Sequence, residues 1–235
     1  LISSGLEALG LTGSVPPDAA EKLAEYGRLL LEKNQVMNLT AIRDEAGVAR
    51  LHMLACPALP PCADRPGART LLDVGTGAGF PGLPLKILLP QLDVTLLDSL
   101  NKRVDWLNEV SAQLGLTGVR AIQGRAEEKA LEKSMRDSFD LVTARAVADL
   151  RLLSELCLPF VKVGGRFLSM KSVDSDQELD QAAHAIKLLG GRVRDVKDYA
   201  IPGADVTHRL VIVEKVAPTL KGYPRRWAKI QKAPL

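Results

Sequence analysis

The chain has 235 residues, 46% of them hydrophobic, and its 31 basic and 28 acidic side chains give a net charge of +3. This length and composition predict one enzyme-sized domain with a full hydrophobic core. No run of 18 apolar residues occurs, which argues against a membrane-spanning helix. The chain starts at Leu1 without a charged and then apolar leader, so we expect no signal peptide.

The three cysteines, Cys56, Cys62 and Cys157, lack the spacing of a metal site, and an odd number cannot all pair in disulfides. Reduced, packed thiols are typical of cytoplasmic proteins. We therefore expect a cytoplasmic protein that holds no metal.

Helical spacing appears before the first strand. Residues 16–33 and 47–54 predict helices, which form an N-terminal helical cap over residues 1–60. A proline-rich stretch joins this cap to the domain that follows, at Pro57, Pro60, Pro61 and Pro66.

A glycine-rich turn follows the first predicted strand, residues 70–74. Residues 73–82 read Asp-Val-Gly-Thr-Gly-Ala-Gly-Phe-Pro-Gly, and the apolar residues from Leu83 onward continue as a helix. Glycine lets the backbone turn sharply and approach a ligand, so this layout predicts a nucleotide-cofactor site.

The glycines allow two interpretations. The second, third and fourth glycines of the run fit G-x-G-x-x-G, the dinucleotide pattern, and Asp98 follows at the distance expected of a ribose-binding acid. Read from Asp73, the run is instead D-x-G-x-G-x-G through Gly75, Gly77 and Gly79, which resembles motif I of class I S-adenosylmethionine methyltransferases. The carboxylate of Asp73 favours the second interpretation, because it suits a cationic sulfonium better than a pyrophosphate.

Asp98 ends a second apolar run, at residues 93–98. The end of the second strand faces the ligand crevice of a doubly wound sheet, where one carboxylate can accept from both ribose hydroxyls. Asp98 can instead cap the helix that begins near Leu100, a task for which Ser99 is equally suited.

The remaining pattern alternates strands and helices. Further strands are predicted at residues 119–123, 139–144 and 166–170, and a hairpin at 193–199 and 207–215 turns through Pro202 and Gly203. This pattern predicts an α/β, Rossmann-like fold with a mostly parallel seven-stranded sheet and a C-terminal antiparallel hairpin. Such a hairpin is typical of class I methyltransferases.

The last residues form a basic C-terminal tail, residues 217–235, after a main domain of residues 61–216. From residue 215 onward there are six basic side chains and no acidic one, interleaved with Tyr223 and Trp227. Basic and aromatic residues together suit RNA, although a solvated terminus has the same composition. The RNA-binding candidates are Arg225, Arg226, Lys229 and Lys232.

Several further segments resemble the RsmG family, also called GidB, of bacterial 16S rRNA methyltransferases. The resemblance covers the chain from about residue 20 onward and includes the glycine-rich turn. The other matching segments are Asn34-Gln35-Val36-Met37-Asn38-Leu39-Thr40, residues 96–103, Ala144-Arg145-Ala146-Val147, residues 208–211 and Tyr223-Pro224-Arg225-Arg226.

The resemblance implies transfer of a methyl group from S-adenosyl-L-methionine to N7 of a guanosine in 16S rRNA, near the decoding region, with S-adenosyl-L-homocysteine as product. One departure is clear, because His52-Met53-Leu54-Ala55-Cys56 stands where the family commonly has His-Ile-Leu-Asp-Ser. The resemblance also implies which residues contact the cofactor, and these are Gly75, Phe80, Ala126, Glu127 and Arg145.

The residues after the fourth strand agree with methylation at a ring nitrogen. Thr143-Ala144-Arg145-Ala146 replaces the Asn/Asp-Pro-Pro-Tyr/Phe loop of exocyclic amine methylases, and no cysteine nucleophile for carbon methylation stands there. Guanine N7 needs no general base, so alignment supplies most of the rate. We expect Arg145 to orient the guanine, or alternatively to pair with a carboxylate such as Glu127. His52 is interpreted as a structural histidine.

Two other functions compete with methyl transfer. One is a NAD-dependent oxidoreductase, and the other is a non-catalytic RNA-binding or ribosome-assembly module with a vestigial cofactor pocket. For the favoured function the partner is 16S rRNA, the 30S ribosomal subunit or its precursor, and we expect a monomer that does not engage membranes.

Overall fold

The computed structural model describes residues 1–56, 67–145 and 148–235, and a seven-stranded sheet lies at its centre. The strands are β1 Thr70–Val74, β2 Asp93–Asp98, β3 Val119–Gln123, β4 Phe139–Arg145, β5 Val161–Ser172, β6 Gly191–Ala200 and β7 Thr207–Lys215. Their order in the sheet is β3-β2-β1-β4-β5-β7-β6. Strands β1 to β5 are parallel, and β7 runs antiparallel to both of its neighbours.

Helices precede the sheet and connect its strands. They are α1 Ile2–Ala8, α2 Ala19–Met37, α3 Glu45–Val48, α4 Gly82–Leu88, α5 Asn101–Gln113, α6 Ala126–Lys129, α7 Leu150–Cys157, α8 Asp176–Leu188 and α9 Trp227–Lys232. A π-helical turn at Ala49–Met53 continues α3, and a 3-10 turn at Leu158–Phe160 follows α7. Within the described ranges, no helix combines the length and the apolar character needed to cross a bilayer.

The predicted fold class is confirmed, including the antiparallel hairpin β6–β7. The predicted helix at residues 16–33 starts later and extends about one turn further, because it ends where Asn38 adopts a left-handed φ of 50°. Helix α1 was not predicted from the sequence.

The sheet separates two hydrophobic cores. Leu71 of β1 belongs to the core beneath α4 and α5, whereas its neighbour Leu72 belongs to the core beneath α7 and α8. Alternate residues of a strand point to opposite faces, so the burial of the adjacent residues Leu71 and Leu72 shows that β1 is covered on both faces.

The N-terminal cap shares the first of these cores. Tyr26 of α2 is fully buried, and its hydroxyl donates a short hydrogen bond to the carbonyl oxygen of Ala78 in the glycine-rich loop. Its ring stacks on Phe80, with 5.3 Å between the ring centroids. The cap is therefore seated directly on the loop that leaves β1.

Some sequence predictions lie outside the described residues. These are the boundary between residues 60 and 61, the joining prolines, Cys62, Ala146 and Val147. The division into residues 1–60, 61–216 and 217–235 accordingly stays a prediction.

Candidate active site

Asp73, in β1, holds the glycine-rich loop. Its Oδ2 accepts hydrogen bonds from the backbone N–H of Gly82 at 2.9 Å and from the hydroxyl of Thr76 at 2.6 Å. Its Oδ1 accepts from the hydroxyl of Thr143 at 3.2 Å. The side chain is fully buried, and burial raises the pKa of this carboxyl to about 6. Asp73 therefore braces the loop, and its effect on a cationic ligand acts through space.

The loop turns through glycines in the left-handed region of backbone space. Gly75, Gly77 and Gly79 have φ angles of 66°, 59° and 101°. A Cβ atom at Gly79 would lie 2.4 Å from the Tyr26 hydroxyl oxygen, so the close approach of the cap requires glycine. Gly75 is exposed at the exit of β1, where its backbone carries no side chain that would cover it.

Asp98, the last residue of β2, faces the same loop. Its Oδ2 accepts from the backbone N–H of Gly77 at 3.0 Å and lies 3.5 Å from Nη1 of Arg103. Its Oδ1 accepts from the backbone N–H of Leu100 at 2.9 Å, while α5 begins without a side-chain cap from Ser99. The carboxylate thus serves the start of the helix and also reaches the glycine-rich loop.

A cavity of about 330 Å³ opens beside Asp98. It lies where the carboxyl ends of β1, β2 and β3 meet, which is where open α/β sheets bind ligands. The sequence-predicted cofactor residues that line it are Gly75, Asp98, Ala126 and Glu127. Leu156 and Trp227 also line it, and the sequence did not predict either for this cavity.

Glu127 pairs with Arg125 and not with Arg145, the partner that the sequence offers as an alternative. The buried carboxylate accepts from Nε of Arg125 at 2.7 Å. The alternative in which Arg145 pairs with Glu127 is therefore wrong, because Arg145 contacts the N-terminal cap instead.

Arg145, at the end of β4, lies over an aromatic ring and contacts the cap. Its Cζ is 5.0 Å from the centroid of Phe80. Its Nη1 donates to the carbonyl oxygen of Leu51 at 3.3 Å, and its Nη2 donates to Nδ1 of His52 at 3.0 Å. Within the described ranges, no carboxylate pairs with this guanidinium. Phe80 and Arg145, both predicted cofactor residues, are thus in contact.

His52 connects Arg145 to the rest of the cap. Because its Nδ1 accepts from Arg145, the neutral ring carries its proton on Nε2, which donates to Thr40 Oγ1 at 2.7 Å. Asn34 in turn bonds both the backbone N–H and the carbonyl oxygen of Thr40, each at 2.9 Å. Burial, and then the charge of Arg145, lower the pKa of His52 to about 3. The imidazole also stacks on Phe80 at 4.5 Å between centroids.

The basic tail packs on the domain through Arg225. Its guanidinium and its backbone N–H all donate to Glu155 of α7, at distances from 2.6 to 3.2 Å. The Glu155 side chain is 1% exposed and that of Arg225 is 12% exposed. Of the four predicted RNA-binding residues, Arg225 therefore anchors the tail, whereas Arg226, Lys229 and Lys232 are exposed to solvent.

The described thiols are unsuited to nucleophilic chemistry. Cys56 and Cys157 are fully buried, and burial raises the pKa of Cys56 to about 12 and that of Cys157 well above its ordinary value. In the ranges that the structure covers, no cluster of three or more potential ligands is arranged to hold a metal ion.

Sequence reasoning missed the roles of Thr40 and Trp227. Thr40 lies in the segment 34–40, which resembles the RsmG family, and this resemblance is the signal that could have indicated its role. The sequence connects Trp227 only with RNA, since nothing local in it indicates that the tail returns to the cavity.

The sheet order, the hairpin and the glycine-rich loop define the class of fold, which is a Rossmann-like fold shared with solved methyltransferases. A solved geranyl diphosphate methyltransferase in complex with S-adenosylmethionine has this fold, with a TM-score of 0.52 and 12% identity over 70% of this chain and 85% of its own.

The sequence relatives identify the family. A family profile described as "rRNA small subunit methyltransferase G" matches residues 19–206. The ribosomal RNA small subunit methyltransferase G of Clostridium beijerinckii is 44% identical over 100% of this chain and 98% of its own, and that of Clostridium perfringens is 44% identical over 93% and 91%. The chain belongs to the rRNA small subunit methyltransferase G family. This membership does not favour an oxidoreductase.

Proposed function

We propose that this protein transfers a methyl group from S-adenosyl-L-methionine to N7 of a guanosine in 16S rRNA, near the decoding region, and releases S-adenosyl-L-homocysteine. The cavity beside Asp98, with Arg145 held over Phe80 at the neighbouring strand end, carries this proposal. The family supplies the rRNA class of substrate.

The residues around the cavity fit S-adenosylmethionine. The exposed Gly75 backbone and the Asp98 carboxylate suit the polar part of a nucleoside, and Ala126 and Glu127 line the adjoining wall. The buried charge of Asp73 favours a cation near the loop. When bound, the cofactor supplies an electrophilic methyl group on a sulfonium.

Guanine N7 carries an in-plane lone pair that is unprotonated at neutral pH, so the protein needs to align it rather than deprotonate it. The surrounding groups agree with this requirement. His52 is neutral and hydrogen-bonded on both ring nitrogens, and Cys56 keeps its proton. The contribution of the protein is then to hold N7 in line with the methyl carbon at about 3–3.5 Å.

Arg145 is the proposed guanine-orienting residue. Among the described residues, Leu51 and His52 take hydrogen bonds from two of its N–H groups, and we propose that its other N–H groups donate to guanine O6 or to a phosphate. Replacing Arg145 with Ala is expected to leave the fold intact and to lower methylation at saturating cofactor. Unchanged turnover on RNA would remove Arg145 from the site.

The test of the proposed function is methyl transfer from radiolabelled S-adenosylmethionine to 30S subunits that lack the modification, followed by mass mapping of the modified nucleoside. We expect one labelled guanosine with the methyl at N7. A methyl group on another atom, or no transfer to naked 16S rRNA, 30S subunits or their precursors, would overturn the proposal.

A ligand titration separates this proposal from its two competitors. We expect S-adenosylhomocysteine to bind and NAD not to bind. An RNA-binding module with a vestigial pocket would bind neither compound, and an oxidoreductase would bind NAD.

The proposal extends to assembly, location and domain division. A protein that acts on the small ribosomal subunit meets its substrate in the cytoplasm, and we propose that it works there as a monomer without engaging membranes. Light scattering after size exclusion tests the monomer. Residues 1–60, 61–216 and 217–235 are proposed as cap, catalytic domain and tail.

A further inference from the structure

We propose that Trp227, in the C-terminal tail, forms one wall of the cofactor site and stacks on the adenosine of the bound cofactor. This inference rests on the proposed function, because it takes S-adenosylmethionine as the occupant of the cavity. It assigns a binding residue to a segment that the sequence connects only with RNA.

The first observation is the position of the indole. Trp227 lines the same cavity as Asp98 and Ala126, although it follows them by more than 100 residues. The Cζ of Arg125 lies 5.7 Å from the centroid of the indole ring. Arg125 in turn donates to Glu127 at 2.7 Å, so the indole adjoins the predicted contacts that follow β3.

The second observation is that the tail is anchored on both sides of Trp227. Before it, Arg225 is bonded to the fully buried Glu155, which precedes the cavity residue Leu156 in α7. After it, Ile230 is 0% exposed and packs in the core beneath α7. A side chain on a segment that is anchored at both ends is already in position before the ligand arrives, which lowers the entropy cost of binding.

Arg136 adds a further anchor upstream. Its Nη1 donates to the carbonyl oxygen of Tyr223 at 2.7 Å, and its Nη2 donates to that of Thr219 at 2.8 Å. The segment that leads to Trp227 is thus tied to the domain by its backbone as well as by side chains.

The chemistry of the indole completes the argument. A flat aromatic face stacks on a nucleobase, and removal of such a contact by alanine substitution weakens binding by roughly tenfold or more. Trp227 is half-buried and lines the cavity, and the guanidinium of Arg125 lies over one face of its ring, so the stacking that we propose uses the opposite face. Gln231, four residues later on α9, is exposed and provides a matched control.

Tryptophan fluorescence tests the proposal directly. The chain has two tryptophans, and the other one, Trp106, is 3% exposed in the core shared with the cap. We expect S-adenosylhomocysteine to quench the emission of the wild-type protein, and Trp227→Phe to abolish that quenching. A wild-type protein that binds the compound without any change in Trp227 emission would overturn the inference.

Calorimetry provides the affinity. We expect Trp227→Ala to weaken S-adenosylhomocysteine binding by about tenfold, Trp227→Phe to keep most of the affinity, and Gln231→Ala to match the wild type. Equal affinity in Trp227→Ala and wild type would overturn the inference and leave the proposed function standing. Failure of the wild type to bind would overturn both. If Trp227→Ala does not fold by circular dichroism, the fluorescence result decides.

Discussion

The guanidinium of Arg145 donates to Nδ1 of His52 across 3.0 Å and so joins the end of β4 to a cap residue 93 positions earlier. Both groups also contact one ring, since His52 stacks on Phe80 and Arg145 lies over it. The orientation of the proposed guanine-binding arginine therefore depends on the N-terminal cap.

Replacement of His52 tests this dependence. We expect His52→Ala to lower the rate of methylation by about ten- to a hundredfold, because the loss of one hydrogen bond to a charged group costs about 1.5–3 kcal/mol. Single-turnover methylation of 30S subunits at saturating cofactor measures this rate.

His52→Gln is expected to recover part of the rate, since its amide can accept from Arg145 and donate to Thr40. His184→Ala serves as the control, because His184 is exposed on α8. Equal loss in the Gln and Ala variants would contradict the hydrogen-bonding role.

The depressed pKa of His52 predicts a pH dependence of stability. The folded value of about 3 lies below the unfolded value of about 6.5, so the unfolded chain binds more protons between them. The stability contributed by neutral His52 is fully present above pH 6.5 and is lost as the pH falls towards 3. Between pH 7.5 and pH 5, the wild type should lose about 2 kcal/mol of unfolding free energy relative to His52→Gln.

Urea unfolding of both proteins at several pH values checks this prediction. Asp73 acts in the opposite direction, since its pKa is raised to about 6 in the folded state, but it is common to both proteins and cancels in the difference. Parallel stability curves for the two proteins would show that His52 does not titrate as expected.

Asp73→Asn is expected to loosen the glycine-rich loop. The amide presents an N–H group where the carboxylate accepted from Gly82, Thr76 or Thr143, so we expect a loss of about 2–3 kcal/mol of stability. Binding of S-adenosylhomocysteine should weaken in parallel. Thermal unfolding and calorimetry measure the two effects, with the exposed Asp105→Asn as the control. A fully stable variant would contradict the bracing role of Asp73.

Two adjacent arginines in the tail are expected to behave differently. Arg225→Ala leaves the buried Glu155 unpaired and should cost about 3–5 kcal/mol of stability. Arg226→Ala should leave stability unchanged and lower affinity for 16S rRNA, with the slope of log affinity against log salt reduced by about one. Chemical unfolding and salt-dependent RNA binding distinguish the two variants. Similar behaviour of both would refute the roles of Arg225 as an anchor and of Arg226 as an RNA contact.

The sequence alone determined the architecture, because its signals are local. Strand-length apolar runs, the glycines after β1 and the turn at Pro202 and Gly203 each depend on neighbouring residues, and the hairpin they predict is present. The positions of the first two strands in the sequence also predicted that Asp98 lies near the glycine-rich loop, since the ends of parallel strands meet at one edge of the sheet.

Only the tertiary structure decided which partner each charged side chain takes. Asp73 lies beneath the loop, Arg145 contacts His52 rather than Glu127, and Arg225 is bonded to a glutamate 70 residues away. A run of charges in a sequence does not reveal which side chain points inward, because that depends on how the strands are ordered and how the helices and the tail pack against the sheet. The same packing brings Trp227 to the cavity.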